Sequence, residues 1–484
     1  MTTVHANYIA GEWLEGTGAA ENINPSDTRD VIGLYARASV AQAQTAIAAA
    51  HAALPRWAVS TPQQRADALD AVGSEIIARR AELADLLARE EGKALPDALG
   101  EVQRAGQIFK FFAGEALRVP GELLASTRPG MTVEITREPV GVVAIIAPWN
   151  FPIAIPAWKI APALAYGNSV VFKPADLVSG SAWALAEVLS RAGLPPGTFN
   201  LLMGRGRDIG DALMNDSRVA AVSFTGSEST GRKVAQACIG RVGTMAKFQL
   251  EMGGKNPLLI LDDADLDVAV NCAINGAFHA TGQRCTASSR LVVTAGIHDR
   301  FVAALLDRLR TLVVGDARRP GTVIGPVVDE VQLQQDLHYI ALGQKEGATL
   351  AFGGQGMAII GGQPGHYLQP ALFTETDNSM RINREEIFGP VATVVRVQDP
   401  DEALVVANDT PFGLSAGVVT TSLRMASHFK RELQAGMVMV NAPTAGVDSH
   451  VPFGGRKGSS HGSREQGRYA AEFYTALKTT YVQP

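Results

Sequence analysis

The chain has 484 residues, 46% of them hydrophobic and 19% charged, with a formal net charge of −5. That length exceeds the size at which one hydrophobic core stops growing, so two or three domains are expected, and the mild negative charge gives no electrostatic basis for binding nucleic acid. Three cysteines, none in a CxxC pair, exclude a disulfide framework and a cysteine-based zinc site, and no metal is expected.

In chain order, the opening MTTVHANYIAGEW lacks a basic segment followed by an apolar run. It therefore predicts no signal peptide, and the cytoplasm is the default compartment. Residues 38–115 are rich in alanine and leucine with helical periodicity. In residues 121–139 two strand-like runs flank the turn Arg128-Pro129-Gly130. The most apolar stretch, residues 140–172, is broken by four prolines, Asn150 and Lys159. No run in it reaches the roughly 20 residues of a membrane span, and it reads as strand, turn, helix and strand.

Beyond residue 140, buried apolar runs (VGVVAIIA, NSVVFKP, TFNLLMG, AAVSFTGS, PLLILDD) alternate with helical segments, which predicts a parallel sheet with crossover helices. A second α/β region runs from about 255 to 450, with SSRLVVTAG, PALFTET, VATVVRVQ, AGVVTTS and GMVMVNA as its strands. The glycine-rich stretch 353–365 reads as surface turns, and the tail AAEFYTALKTTYVQP ends in a strand able to pair outside its own domain.

Several short motifs stand at the ends of these elements. APWNFP puts Asn150 just after a buried strand, and VFKPAD puts Lys173 and Asp176 past the next, where α/β sheets bind ligands. SFTGS leads into a helix whose first backbone N–H groups suit a phosphate. The alternative at GRGRDIG, residues 204–210, has one residue too many for a G-x-G-x-x-G fingerprint and reads as a turn opening a helix. LEMGGKNP carries Glu251 before two glycines. Cys285 lies in ATGQRCTASSR, among small and polar residues, whereas Cys238 and Cys272 sit in apolar helical contexts. A thiolate works as a nucleophile only where it is reachable, which singles out Cys285.

Together PWNFP, FKPAD, SFTGS, LEMGGKNP, GQRC, EEIFGP and PFGGRKGS occur in an order that resembles the aldehyde dehydrogenase superfamily from about residue 7 onward. The likeness is greatest to its α-ketoglutaric semialdehyde (2,5-dioxopentanoate) dehydrogenases, through LEMGGKNPLLILDDADLD, TGQRCTASSRL and NAPTAGVDSHVPFGGRKGSS. The resemblance implies two parallel-sheet α/β domains and a small β oligomerisation segment. Its implied boundaries are 1–117 with 141–251 for dinucleotide binding, 252–450 for catalysis, and 118–140 with 451–484 for bridging subunits of a homodimer or homotetramer.

Function follows from the same resemblance. Cys285 would attack the aldehyde, Asn150 would hold the oxyanion, and Glu251 would activate water against a thioester. NAD or NADP would lie on Trp149, Gly226 and Ser227, with Lys173 and Asp176 at the adenosine ribose and Glu386 and Phe388 at the nicotinamide ribose. The expected substrate is a small carboxylate-bearing semialdehyde, 2,5-dioxopentanoate first and succinate or glutarate semialdehyde next, with aromatic or aliphatic aldehydes as the broader alternative. Arg284, or else Arg290 or backbone N–H groups, would receive its carboxylate. Three other readings compete: a thiol hydrolase using His279 or His450, an acyl transferase to coenzyme A, and a silent binding protein on the same fold. Glu251 argues against the first two, and the intact Cys285, Glu251 and Asn150 against the third.

Overall fold

The computed structural model describes residues 3–484 and has two large sheets joined by a short crossing, a third, smaller sheet at the side, a further three-stranded sheet of Val4–His5, Val31–Ala36 and Ala19–Ile23, and two two-stranded pairs. Five parallel strands form the centre of the first sheet. The chain enters at Val142–Ile146, steps outward to Ser169–Lys173 and Phe199–Leu201, then returns to Val219–Thr225 and Lys247–Glu251 on the opposite side. Short apolar runs buried on both faces make these central strands, as in any parallel sheet covered by helices. The reversal between Val142–Ile146 and Val219–Thr225 opens a crevice at the carboxyl ends of the strands, where ligands of open α/β sheets bind. Antiparallel strands Asn7–Ile9 and Glu12–Leu14 close one edge, and Ser460–His461 closes the other.

The helix Ala154–Ala165 follows the PWNFP turn, and every one of its residues is buried. It packs against helices Pro62–Ala78 and Leu95–Ala116. Those two cross closely because both present glycine: a Cβ on Gly73 would lie 2.7 Å from the Gly106 carbonyl oxygen.

The second sheet is built on the same plan. Pro257–Ile260 is central, with Arg290–Thr294, Val391–Val397 and Ala371–Thr374 on one side and Ser415–Val419 and Met437–Val440 on the other, all parallel. Thr349–Phe352 adds one antiparallel edge. The third sheet pairs Thr475–Val482 with Thr132–Pro139 over eight residues, and Glu122–Ala125 with the other side of that strand.

Three features differ from the sequence expectation. Residues 353–365 are more than turns: Gly356–Ile360 and Gln363–Leu368 form a hairpin, whose tip is Gly361 and Gly362 at φ of 58° and 81°, the left-handed pair a tight hairpin needs. Lys247–Glu251 is a strand although its apolar content is too low to announce one, because it lies at the sheet margin with only its last three residues buried. Of the stretch 451–484, only Thr475–Val482 joins the small sheet; Arg456–Lys457 pairs with Phe412–Gly413 and Ser460–His461 with the strand that carries Glu251.

Candidate active site

Cys285 lies on a loop just before strand Arg290–Thr294, facing the crevice of the first sheet. The loop is held in an unfavourable shape. Ala280, Thr281 and Gly282 have φ of 51°, 57° and 66°, three left-handed residues in a row. Such backbone persists only where its surroundings over-determine it. Here the Ala280 N–H donates to Asp97 at 3.1 Å, Thr281 Oγ1 donates to the Gly325 carbonyl at 3.3 Å, and Gln283 Oε1 accepts from the Val328 N–H at 3.0 Å. Beyond the cysteine, Asn256 Nδ2 donates to the carbonyls of Cys285 (2.8 Å) and Ala287 (3.0 Å), while Thr444 Oγ1 donates to that of Thr286 at 2.7 Å. The nucleophile candidate is thus clamped from helix Leu95–Ala116 on one side and from the loops around the second sheet on the other.

Two cavities meet at this cysteine. One, of about 360 Å³, is lined by Trp149, Asn150, Gly226, Ser227, Glu386 and Phe388 among others. The second, of about 290 Å³, lies beneath helix Leu95–Ala116 and is lined by residues including Asp97, Arg104, Phe151, Trp158, Arg284 and Phe453. Among the described residues, Cys285 alone lines both. Burial, with the Glu386 and Glu251 charges, pushes its thiol up to about 12, opposed by the Cys285 and Thr286 backbone N–H groups. In this state the sulfur is a thiol, and deprotonation must accompany attack.

Asn150 is 2% exposed, and its Nδ2 donates to the Gln283 carbonyl at 3.0 Å, leaving one N–H of the amide for the cavity. Two buried residues with no separate motif hold it in place. Lys93 Nζ donates to the Asn150 carbonyl at 2.5 Å and to Glu101 Oε2 at 2.6 Å, and stands 3.9 Å over the Phe151 ring. Glu101 Oε1 accepts the Ile153 and Ala154 N–H groups at 3.0 and 3.1 Å, capping the helix that follows.

Glu251 is placed differently. It is buried at the end of its strand and lines neither cavity. Oε2 accepts from Ser460 Oγ at 2.6 Å, while Oε1 has no partner. Burial, then the Glu465 charge, holds its carboxyl well above the usual carboxylate range, opposed by the Ser460 hydroxyl and the Lys159 charge. Glu465 pairs with Lys159, which also donates to Ser223 at 2.9 Å. A Cβ on Gly454 would stand 2.9 Å from Glu251 Oε1, so glycine there leaves the carboxyl room to turn.

The 360 Å³ cavity carries groups suited to a dinucleotide. Ser227 caps helix Glu228–Ile239, whose N-terminus opens at Gly226. Trp149 and Phe388 meet edge to face at 5.4 Å, with Phe388 at φ 69°. Glu386 Oε1 accepts the Gly254 N–H at 2.8 Å, and burial pushes its carboxyl up to about 7. A Cβ on Gly253 would lie 2.1 Å from Glu386 Oε2, so any larger residue there would displace that carboxylate. Lys173 and Asp176 are outside this lining but on the same rim, since Lys173 is in register with Ile146. They stand 3.7 Å apart, and Asp176 Oδ1 is buried without a partner, an acceptor left for a hydroxyl. Burial holds the Lys173 ammonium below its usual value.

The carboxylate-binding candidates divide. Arg284 lines the second cavity but is tied to Asp97 at 3.7 Å and to the Asn275 carbonyl at 3.4 Å. Arg290 is fully buried and donates to the carbonyls of Lys255, Val406 and Ala407 and to Asn378 Oδ1, so it holds scaffold together. His279 and His450 are not in the lining of either cavity.

Residues 13–480 match the model of the aldehyde dehydrogenase family. An α-ketoglutaric semialdehyde dehydrogenase of Bacillus subtilis is 42% identical over 482 residues, covering 99% of this chain and 98% of that protein. A 2,5-dioxopentanoate dehydrogenase of Saccharolobus solfataricus is 40% identical over 481 residues, covering 98% of each. Among solved structures, betaine aldehyde dehydrogenase of Staphylococcus aureus in complex with NAD+ superposes with a TM-score of 0.96 at 34% identity, covering all of this chain and 95% of that one.

Proposed function

Because the chain belongs to the aldehyde dehydrogenase family, we propose that it oxidises 2,5-dioxopentanoate to 2-oxoglutarate with NAD or NADP. The observation that carries this reading is the meeting of two cavities at Cys285, one with dinucleotide-binding groups and one with basic side chains. Cys285 Sγ adds to the aldehyde carbon as its proton passes to solvent water, and the second Nδ2 hydrogen of Asn150 with the Cys285 N–H stabilises the oxyanion. Lys173 and Asp176 hold the adenosine ribose, Trp149, Gly226 and Ser227 line the dinucleotide path, and Glu386 and Phe388 position the nicotinamide ribose. The nicotinamide cofactor, when bound, accepts the hydride. Glu251 then turns toward the Cys285 thioester, takes a proton from water, and the attack releases the acid and restores the thiol.

The test is NAD(P)H formation at 340 nm with a panel of aldehydes, measured with each cofactor. The expected order in kcat/KM puts 2,5-dioxopentanoate first, followed by glutarate and succinate semialdehydes, with hexanal and benzaldehyde last. Hexanal or benzaldehyde in first place would sink the substrate reading. Both cofactors support turnover, with a modest preference for NAD, because Asp176 accepts a ribose hydroxyl and repels a 2′-phosphate. Added coenzyme A leaves the rate unchanged, since water is the acceptor.

Asn150→Ala removes one oxyanion donor and slows turnover by on the order of 100-fold, about 3 kcal/mol. Single-turnover hydride transfer is the measurement, and a wild-type rate there removes Asn150 from the role.

We further propose that the small sheet joins subunits into a homodimer or homotetramer. Leu123, Leu124, Leu477, Tyr481 and Val482 are exposed on it. A two-sided sheet with that much apolar surface needs a partner. Among the described residues no helix is long and apolar enough to cross a membrane.

A further inference from the structure

We infer that Arg104 is the residue that binds the distal carboxylate of the substrate, an assignment that rests on the semialdehyde reading above and gives it a specificity determinant. Asp97, Gly100, Glu101 and Arg104 recur at three- and four-residue spacing on helix Leu95–Ala116, and all four line the cavity that ends at Cys285. One face of one helix thus supplies a wall of the chamber, with Arg104 two turns along from Asp97. Gly100 leaves that wall open, since a Cβ there would meet nothing within 4 Å.

The cations lining this chamber are not equivalent. Lys93 is engaged by Glu101 and the Asn150 carbonyl, and Arg284 by Asp97 and the Asn275 carbonyl. Arg104 makes one side-chain hydrogen bond, Nη2 to Gln466 Oε1 at 3.0 Å. Its Nε is buried without a partner, and among the described residues no carboxylate stands within 4.0 Å of it. Its guanidinium lies over the Trp158 ring, 5.5 Å from the centroid, and Trp158 in turn stacks on Phe453 at 5.2 Å. A planar cation held on an indole presents its donors in a fixed fork, the geometry that matches a carboxylate.

Burial makes the assignment stronger. Burial lowers the Arg104 guanidinium from its ordinary value, and the charges of Glu101 and Asp448, neither within 4.0 Å, oppose this from a distance; a substrate carboxylate would supply the direct ion pair it lacks. A cationic aldehyde would meet the opposite: the same aromatic pair that could cage an ammonium is already covered by a guanidinium. The aldehyde end then reaches Cys285 while the carboxylate reaches Arg104.

The experiment compares wild type, Arg104→Leu and Arg104→Lys on 2,5-dioxopentanoate and on pentanal, which has the same chain length and no charge. Glutarate is titrated as an inhibitor of pentanal oxidation. Arg104→Leu should lower kcat/KM for 2,5-dioxopentanoate by roughly 100-fold and weaken glutarate inhibition by a similar factor, as expected for loss of a charge-assisted hydrogen bond. Pentanal oxidation should stay within about twofold, which also reports that the fold and Cys285 are intact, and Arg104→Lys should recover part of the loss. Should Arg104→Leu fail to fold, Arg104→Gln is measured the same way. Unchanged glutarate inhibition in the uncharged variant, or the same loss on pentanal, overturns the assignment, as does an Arg284→Leu variant that loses the preference while Arg104→Leu keeps it. Wild type that prefers pentanal instead defeats the substrate reading, and glutarate inhibition still decides on Arg104.

Discussion

Replacing Cys285 by alanine is expected to abolish aldehyde oxidation, by on the order of 10⁴-fold or more, while leaving cofactor affinity within about twofold. The asymmetry follows from where the sulfur sits. It contributes one wall atom to a cavity whose other groups, from Trp149 to Phe388, remain in place, yet it is the single reactive atom between the chambers. Its loop is fixed by Asn256 and Thr444, which donate to the Cys285 and Thr286 carbonyls, and by the Gln283 side chain, which accepts the Val328 N–H, and alanine at 285 removes none of these. The checks are NADH formation at 340 nm and quenching of tryptophan fluorescence by added NAD, since Trp149 borders the site. Residual turnover at the wild-type rate would end the covalent mechanism. Cys238→Ala and Cys272→Ala form the contrast. Both thiols are buried and raised by that burial, so their loss should leave turnover intact and cost roughly 1 kcal/mol of stability.

Glu251→Gln is expected to slow steady-state turnover by on the order of 10² to 10⁴-fold while a burst of NADH, one equivalent per site, survives in stopped flow. The amide keeps a hydrogen bond with Ser460 Oγ but cannot accept a proton from water, so the thioester accumulates. Loss of the burst would move Glu251 to the first half-reaction, as the base for the thiol. The pH dependence has a definite sign. Burial and Glu465 hold the Glu251 carboxyl above its usual value, so the base form is scarce at low pH and grows as pH rises through that raised value. The deacylation rate of wild type should climb with it, and that of Glu251→Gln should stay flat.

Much of this site is legible in the sequence because its residues stand at strand ends. Asn150, Lys173 and Ser227 each stand at or just past the end of an apolar run that can only be a buried strand, and Asn150 and Lys173 are of types costly to bury without a purpose. Cys285 is legible for the opposite reason, as a cysteine outside any apolar pattern. What the sequence hides falls into two kinds. Glu251 stands out in LEMGG, but its strand does not, because a marginal strand lacks an apolar run. Lys93, Glu101 and Arg104 look like the charged face of an ordinary amphipathic helix and the turn before it; nothing local says that this face is turned inward onto a cavity. Lys159 and Glu465 are 306 residues apart, and only the closed sheet edge at Ser460–His461 brings them together. Arg290 errs the other way. Next to the cysteine loop it looks available, yet its guanidinium is occupied by three backbone carbonyls and Asn378 Oδ1.

The meeting of the two cavities at a single residue also governs traffic. The chamber under helix Leu95–Ala116 and the crevice of the first sheet have no lining residue in common except Cys285 among the described residues. If the cofactor and the aldehyde take one chamber each, as proposed above, an acyl group on Cys285 stands at the junction of the two, and the order of release is expected to follow the chemistry at the sulfur.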